Sequence, residues 1–600
     1  MAAYSMECPT VSAGLPTLSA ETRRDIEGIP GVRLRGQQVR AAWHAVPTLG
    51  ATLQAAGLSA YGVIWAIPPL TPPSWEWVRA ELAESGEVKP WVLDFLTPYQ
   101  RDGLVFAWHK SGSLLHHPTG AGKSLSAIMW CLAAPGAAVI VTRATSRRQF
   151  AGQVEQFTNL SAYPLVPRVS VRKRDRWQSP EDYLSWCETR GQRPVLIVGW
   201  ESLSDWLPLI ESIGVTSVVW DESHKGKSNK RWEVIPLPEG EERKAALAGI
   251  KARGGFVKPG TEDGTEVGIV PRENTAHAAM TLARIVRRRL ATTATPISDR
   301  VRDLWGQLDL IEPGAWGSFS VFAHRYCAAK PGMYGGLDTS GLSNANELGT
   351  RLAYVVHHVD YTITHAQLPR KRRESYYIAK EDQVEPSGGF AKWAKDAATA
   401  GPGAILELRL AEAASKKRRA VLARIADHAA SGHKIVVFTA RRRDCDELAS
   451  AIRGAIRGVT TWAAHGGNSH AEREQVKAEY ISHPGPCVLV GTGDAWGTSI
   501  DGLQCTDAAF FVLLPYTPGQ LTQWEGRFSR LGQDRPVVIY YCIAEGTVDE
   551  HVADLLITKL GAVDNLVADG SSDGMSGALS GIAGNEEAIL DAILAKLGVD

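Results

Sequence analysis

Three short stretches hold side chains whose types and spacing can do chemistry. HHPTGAGKS (116–124) follows the apolar pair Leu114-Leu115 and precedes LSAIMWCLA, a run of helical character. A glycine-rich turn entering a helix aims backbone N–H groups and the positive helix end at an anion. In that frame Thr119, Gly120, Ala121 and Gly122 cradle phosphates. Lys123 reaches the outer phosphates of a nucleotide, and Ser124 holds Mg²⁺. VVWDESH (218–224) ends a strand-like run with two carboxylates. Asp221 suits a metal held through water, and Glu222 suits the orientation and deprotonation of an attacking water. QWEGRFSRLGQ (523–533) carries Arg527 and Arg530, which share a face if the stretch is helical. Alone this is a solvated basic face. Beside a phosphate loop and a carboxylate pair it answers a need, because charge gathers on a transferring phosphoryl group. Gln523 is placed to orient that helix or the outer phosphate.

These stretches need rigid elements to hold them. LVFAWH, AAVIVT, PVLIVGW and TSVVWDES read as strands or strand-like runs of the buried type found in parallel sheets. KIVVFTA, VTTWAAH, PCVLVGT, AAFFVLLP and RPVVIYYCIAE form a second set from about 433. Two strand-rich halves with intervening helices imply an α/β protein with two parallel-sheet domains. The stretch of about 300–430 between them has few strand signals and reads as mostly helical. Residues 231–275, rich in Gly, Glu and Lys, read as a surface insertion. Residues 1–90 read as a small mixed module, with a hairpin over Val32–Val46 and helices near 49–56 and 75–84. ADGSSDGMSGALSG (568–581) reads as a linker before a helix carrying Ile589, Ile593 and Leu597 on one face.

Composition sets the outer limits. Sixty-five basic residues balance sixty-five acidic ones, so a surface for a polyanion has to be a local patch. Basic runs at 172–176, 287–289, 370–373, 416–419 and 441–443 are candidates, 370–373 first among them. Eight scattered cysteines without close CxxC pairs argue against a disulfide framework or a zinc ribbon. No leader pattern and no apolar run of membrane length is evident, which leads to the expectation of a soluble cytoplasmic protein.

The ordered series of motifs resembles the SWI/SNF-type (Snf-two) DNA translocases of helicase superfamily two. LTPYQRDG (96–103) is similar to the adenine-side motif, AAVIVTRATSRRQFAGQVEQF (137–157) to motif Ia, and PVLIVGWESL (194–203) to motif Ib. LATTATPISDRVRDLWGQLDLIEPGAWGSF (290–319) is similar to motif III and the Leu-Trp and Pro-Gly segment C-terminal to it. KIVVFTARRRDCDEL, AAHGGNSHAER, VLVGTGDAWGTSIDGLQ (488–504), QWEGRFSRLGQ and GTVDEHV continue the order through motifs IV, V and VI to the brace segment. Several features depart from the pattern. His117 stands at the first glycine position of the phosphate loop, and DESH stands for DEAH. TATP replaces TGTP, and motif Ia lacks its common proline. LDTSGLSNANELGTRLAYVV (337–356) with LPRK, and IEGIPGVRLRGQQVRAAWHAVP (26–47), resemble HepA-related annealing helicases and their phage-encoded relatives.

The resemblance implies two RecA-like domains at 91–315 and 406–566. It also implies an accessory module at 1–90, a helical insertion at 316–405 and a tail at 567–600. It implies ATP and Mg²⁺ as cofactors, with Gln100 reading the base and Gly497 and Asp501 lining the nucleotide site. Arg143, Arg147, Arg148, Thr295, His465, Thr492 and Ser499 would contact double-stranded or forked DNA through phosphates, independently of sequence. Residues 231–275 or the C-terminal helix would be available to a protein partner. The implied activity is ATP-driven movement on duplex DNA that remodels forks, anneals strands or displaces protein. A strand-separating helicase on DNA or RNA is the alternative, and a degenerate ATPase serving as a DNA-binding scaffold is a third reading. The host is expected to be a bacterium or a phage-infected cell.

Overall fold

The computed structural model describes residues 10–14, 18–35, 37–56, 73–166, 176–226, 232–237, 256–259, 266–271, 275–297, 300–332, 337–359, 361–364, 371–384, 402–439, 441–496, 502–515, 517–529, 533–554 and 556, with a few single residues between. The chain forms two compact units. The first comprises residues 1–116 and 122–358, and the second comprises 359–600 with the five residues His117–Ala121.

Strands β1 (Thr10–Gly14), β2 (Val32–Arg35) and β3 (Gln38–Ala42) make an antiparallel sheet in the order β1-β3-β2 at the N-terminus. The first large sheet contains β4 (Gly112–His116), β5 (Ala138–Thr142), β6 (Tyr163–Pro164), β7 (Val195–Gly199) and β8 (Ser217–Asp221). Between β8 and the next strand of that sheet, β9 (Trp232–Pro236), β10 (Phe256–Pro259) and β11 (Glu266–Pro271) form a separate antiparallel sheet. The stretch expected to be a surface insertion thus has a fold of its own. The large sheet is completed by β12 (Arg288–Thr293) and, after the two-residue pair β13 (Lys330–Pro331) and β14 (Leu337–Asp338), by β15 (Val356–His358). Its order is β15-β4-β12-β8-β5-β7-β6, parallel throughout.

The second unit repeats this plan. β16 (Lys371–Ile378), β17 (Lys434–Thr439), β18 (Thr460–Ala464), β19 (Cys487–Thr492), β20 (Ala508–Phe511) and β21 (Val537–Ala544) pair in parallel in the order β16-β21-β20-β17-β19-β18. The α/β class with two parallel sheets is therefore as the sequence led us to expect. Two apolar clusters cover opposite faces of this second sheet, one around Phe438, Phe511 and Trp524 and the other around Ile425, Val437 and Phe510.

Three local expectations fail, each for a physical reason. LVFAWH is not a strand: residues Pro98–Ala107 are helical. Thr97 and Gln100 close a reciprocal capping box with Pro98 at the first helical position, and this start signal outweighs the apolar run. The buried positions Gln100, Gly103, Leu104 and Ala107 follow the helical period. Second, the stretch between the halves is not simply helical, since it supplies an edge strand to each sheet, β15 and β16. The eight-residue β16 exposes Arg372 and Arg373 side by side, as charged edge strands do. The first unit consequently ends at residue 358 rather than near 315. Third, RRRLATT reads as a basic run but contains the central strand β12. The Arg288 guanidinium donates to the Trp108 carbonyl and stacks on Trp130 at 4.9 Å. Arg289 donates to the carbonyls of Ile311 (2.8 Å), Ala283 (3.0 Å) and Val286 (2.9 Å).

The N-terminal module belongs to the first unit. Arg351, almost wholly buried, donates to the Pro30 carbonyl at 2.7 Å, to Tyr326 Oη at 2.6 Å and to His44 Nδ1. An arginine can only donate, so Nδ1 accepts and the His44 Nε2–H faces Glu312 Oε2 at 3.1 Å. Trp316 stacks on His44 with centroids 4.4 Å apart and donates to the same carboxylate. A Cβ at Gly31 would sit 1.9 Å from the Ala315 carbonyl oxygen. The module is pressed against backbone.

Candidate nucleotide site

In the first unit the site lies at the carboxyl ends of parallel strands, where open α/β sheets bind ligands. β4 ends at His116, and the helix Lys123–Cys131 starts one short loop later. Gly120 (φ 82°) and Gly122 (φ 72°) take left-handed backbone, which glycine adopts without a steric penalty. A Cβ at Gly122 would fall 2.3 Å from Gln100 Nε2. Lys123 and Ser124 are half-buried in the first turn of the helix, while Thr119 and Ala121 are buried.

Gln100 is turned to structural use. Its Oε1 accepts from the Thr97 backbone N–H at 2.9 Å, and its Nε2 donates to the Gly122 carbonyl at 3.3 Å. The residue expected to read a base therefore ties the capping box to the glycine loop.

Asp221 ends β8, two strands from the loop, with β12 between them. Thr142 donates to Oδ2 at 2.7 Å and Thr292 to Oδ1 at 3.1 Å. Burial pushes the carboxyl up and the Glu222 charge adds to it, against the Thr142 hydroxyl, Lys123 and Thr292; the result is about 6. Glu222 follows at φ 52°, a left-handed conformation that a β-carbon makes costly. His224 Nδ1 lies 3.4 Å from its Oε2 and 3.2 Å from Thr293 Oγ1. Ser223, the residue that departs from DEAH, donates to Gln307 Oε1 at 2.8 Å, and Gln307 donates onward to the Pro296 carbonyl. The carboxylate turn and TATP are thus joined by two side-chain links. Sequence reading missed Ser223 and Gln307; the serine was visible only as a departure from a pattern.

In the second unit, the helix Pro518–Glu525 ends before the first arginine. Arg527 sits in the turn beyond it, its backbone N–H on the Trp524 carbonyl at 3.2 Å. This corrects the expectation of two arginines on one helical face: the helix stops too early, and Arg530 lies outside the described residues. Arg527 and Gln523 are both buried. His117–Ala121 packs in this unit, where a Cβ at Gly526 would lie 1.9 Å from Thr119 Oγ1. Gly491 and Gly493 make room for Trp496 and Trp524 in the same way. Gly497, Ser499 and Asp501 lie outside the described residues.

The residues expected to meet nucleic acid divide. Arg148 is exposed, and Arg143 is partly so. Arg147 donates to the Leu165 carbonyl at 2.6 Å and to the Ala144 carbonyl at 3.1 Å, so it anchors its own loop. Thr295 is buried, and its hydroxyl oxygen has no hydrogen-bond partner among the described residues. His465 accepts from the Gly467 N–H at 3.1 Å and lies 3.2 Å from Asp446. Thr492 is buried at the end of β19.

Most basic runs prove to be internal fastenings. Lys371 and Arg373 pair with Glu525, and Lys417 with Asp549. Lys416, Arg418, Arg441 and Arg443 each pair with an acid nearby. In the run at 370–373, expected to be the foremost patch, the exposed Arg372 and Arg373 are both paired, with Glu374 and Glu525.

Two α/β units with a glycine loop, a carboxylate pair and a buried arginine turn resemble the helicase-like class of phosphate-loop proteins. The family comparison gives the type within that class: residues 266–385 match the SNF2-related domain and 416–532 the helicase conserved C-terminal domain. Over these two segments the chain is similar to SNF2-type, superfamily-two proteins, in line with its motif series. It is 29% identical over 292 residues to SWI/SNF-related matrix-associated actin-dependent regulator of chromatin subfamily A-like protein 1 of Xenopus tropicalis, covering 47% of this chain and 30% of the relative. It is 24% identical over 505 residues to the human DNA annealing helicase and endonuclease ZRANB3, covering 78% of this chain and 41% of the relative. The chain thus spans less than half the length of these two relatives. A solved structure, the Sulfolobus solfataricus SWI2/SNF2 ATPase core in complex with dsDNA, covers 79% of this chain and 94% of that one at 18% identity, with a TM-score of 0.31.

Proposed function

We propose that this chain is an ATP-dependent DNA translocase that couples hydrolysis to movement on double-stranded or forked DNA. The observation that carries the reading is that a glycine loop follows one interior strand of a parallel sheet, β4, and a carboxylate braced by two hydroxyls ends another, β8. The loop suits a triphosphate: Gly120 and Gly122 take left-handed backbone, and a helix starts directly behind them at Lys123. The donors fit magnesium, a hard cation that takes oxygen ligands: the Ser124 hydroxyl and the Asp221 carboxylate. Magnesium, when bound, would neutralise charge between the outer phosphates.

In this reading Lys123 binds the outer phosphates, and Thr142 and Thr292 hold Asp221 in one orientation. Glu222, set by its backbone, takes a proton from the attacking water. Arg527 stabilises the charge on the transferring group. The accessory module at 1–90, the motor domains and a partner-binding part for β9–β11 belong to the same proposal. The relatives' names, an annealing helicase among them, support DNA as the track. Arg148 and Arg143 remain the phosphate contacts we favour on the first unit; Arg147 does not, because its guanidinium is spent on backbone carbonyls.

ATP turnover measured with duplex, forked and single-stranded DNA and with RNA tests this directly. Stimulation by duplex or forked DNA is expected. Stimulation by single-stranded RNA alone would replace the reading with that of an RNA helicase.

A further inference from the structure

Glu525 is the last residue of the helix Pro518–Glu525 and is 3% exposed. Its carboxylate is saturated. Lys371 Nζ donates to Oε2 at 2.6 Å, and Arg373 engages both oxygens through Nε at 2.9 and 3.0 Å and through Nη2 at 2.7 Å. The Tyr541 hydroxyl donates to Oε1. Burial by itself would push this carboxyl up; Lys371 and Arg373 outweigh it and hold it at about 2.

The donors come from two neighbouring strands. Lys371 and Arg373 are two residues apart on β16 and so face the same side. Tyr541 lies on β21, opposite Ser375 in the parallel register. The turn after Glu525 is fixed at its other end too: Phe528 is fully buried, 5.7 Å from the Phe438 ring and 6.4 Å from Phe511, and its backbone N–H donates to the Glu525 carbonyl at 3.1 Å. Gly526 and Arg527 are strung between these two anchors. β16 is also the first strand after the chain leaves the first unit at residue 358.

We propose that Glu525, clamped by Lys371, Arg373 and Tyr541, is a positioning residue that sets the place of the Arg527 turn. The basic run at 370–373 then serves ATP hydrolysis and not the nucleic-acid track. This rests on the reading of Arg527 as a residue of the hydrolytic centre. A bidentate arginine fixes orientation as well as charge, which a lysine alone cannot do.

The test compares Glu525→Gln, Tyr541→Phe and the double variant Lys371→Gln/Arg373→Gln with Arg527→Ala, on the full chain with saturating duplex DNA. Glu525→Gln is expected to lower kcat for ATP by about 10- to 100-fold, the scale set by a misplacement near 1 Å, with KM for ATP little changed. Tyr541→Phe, which removes one hydroxyl, should show a smaller fall of the same kind. Adding Glu525→Gln to Arg527→Ala should cost almost nothing further, because the two act as one unit. The double variant should leave the salt dependence of DNA binding unaltered. Unchanged kcat in both Glu525→Gln and Tyr541→Phe would overturn the proposal while leaving Arg527 in place. So would a fall in the salt slope of the double variant by about one per lost cation with turnover intact. Full turnover in Arg527→Ala would instead remove the reading on which the proposal stands.

Discussion

At the scale of single residues, the site is held by backbone choices as much as by side chains. Glu222 occupies left-handed space at φ 52°. A glycine there is freed of the β-carbon conflict, which is worth about 1 kcal/mol. Glu222→Gly should therefore be more stable than Glu222→Ala by about that amount in urea unfolding, although both lose turnover. Equal midpoints would show that the conformation is not a strained one. At Gly122 the position is reversed. A methyl group would meet Gln100 Nε2 at 2.3 Å in a backbone region that disfavours it. Gly122→Ala should lose nucleotide binding, measured by titration with a fluorescent ATP analogue, and should unfold at lower urea. The candidate site residues stand out in the sequence because phosphate chemistry demands glycine, lysine and acid at fixed spacing. Their contacts in the fold do not show there: the Gln100 amide reaches Gly122 and the Ser223 hydroxyl reaches Gln307, 22 and 84 residues further on.

At the scale of elements, the same limit explains the failed expectations. Alternation and apolar runs mark buried strands well, and β5, β7, β8 and β17 to β21 fall where such runs stand. β12 and β16 escaped because arginines and lysines open them, and nothing local says that those guanidiniums will cap carbonyls or meet a buried acid. Lys417 is the strongest case. It is wholly buried within the helix Pro402–Ala430, 2.7 Å from Asp549 in the GTVDEHV segment, and donates to the Cys542 carbonyl at 3.0 Å. Removing one partner of such a pair strands a charge and typically costs about 3–5 kcal/mol. Asp549→Ala should destabilise the second unit on that scale, and Lys417→Met/Asp549→Leu should recover much of the loss. A double variant no more stable than the single one would mean that the pair is not the fastening of that helix.

At the scale of the molecule, the N-terminal module is built into the first unit. Removing residues 1–90 takes away His44 and the Pro30 carbonyl, leaving Arg351 and Glu312 short of buried partners. It also strips Val78 and Leu82 from the core cluster. A truncated chain should consequently melt well below the full one, and its ATPase should fall with its stability. A substitution on the exposed face of the module is the cleaner probe of fork preference. Acid should reach the first unit early. Burial holds His116 down at about 3 and His357 at about 4, against 6.5 when unfolded. The unfolded chain therefore binds these protons first, and their contribution to stability fades as pH falls from about 6.5 towards 4. Glu525 in the second unit, held near 2, keeps its contribution until pH drops below about 4.5. Thermal melts from pH 7 to pH 4 should show the first unit weakening by more than the raised Asp221 carboxyl, which gains its proton in the folded unit, returns to it. A first unit as stable at pH 4 as at pH 7 would count against those assignments.

The central proposal is that Lys123 of the glycine loop and Arg527 of the arginine turn both serve ATP hydrolysis. ATP turnover and ATP binding, measured side by side on Lys123→Ala and Arg527→Ala with duplex DNA present, test it most directly. Turnover should be abolished in the first and fall by about a thousandfold or more in the second, with ATP binding weakened far more by Lys123→Ala. Turnover in Arg527→Ala within tenfold of the unaltered chain would contradict it.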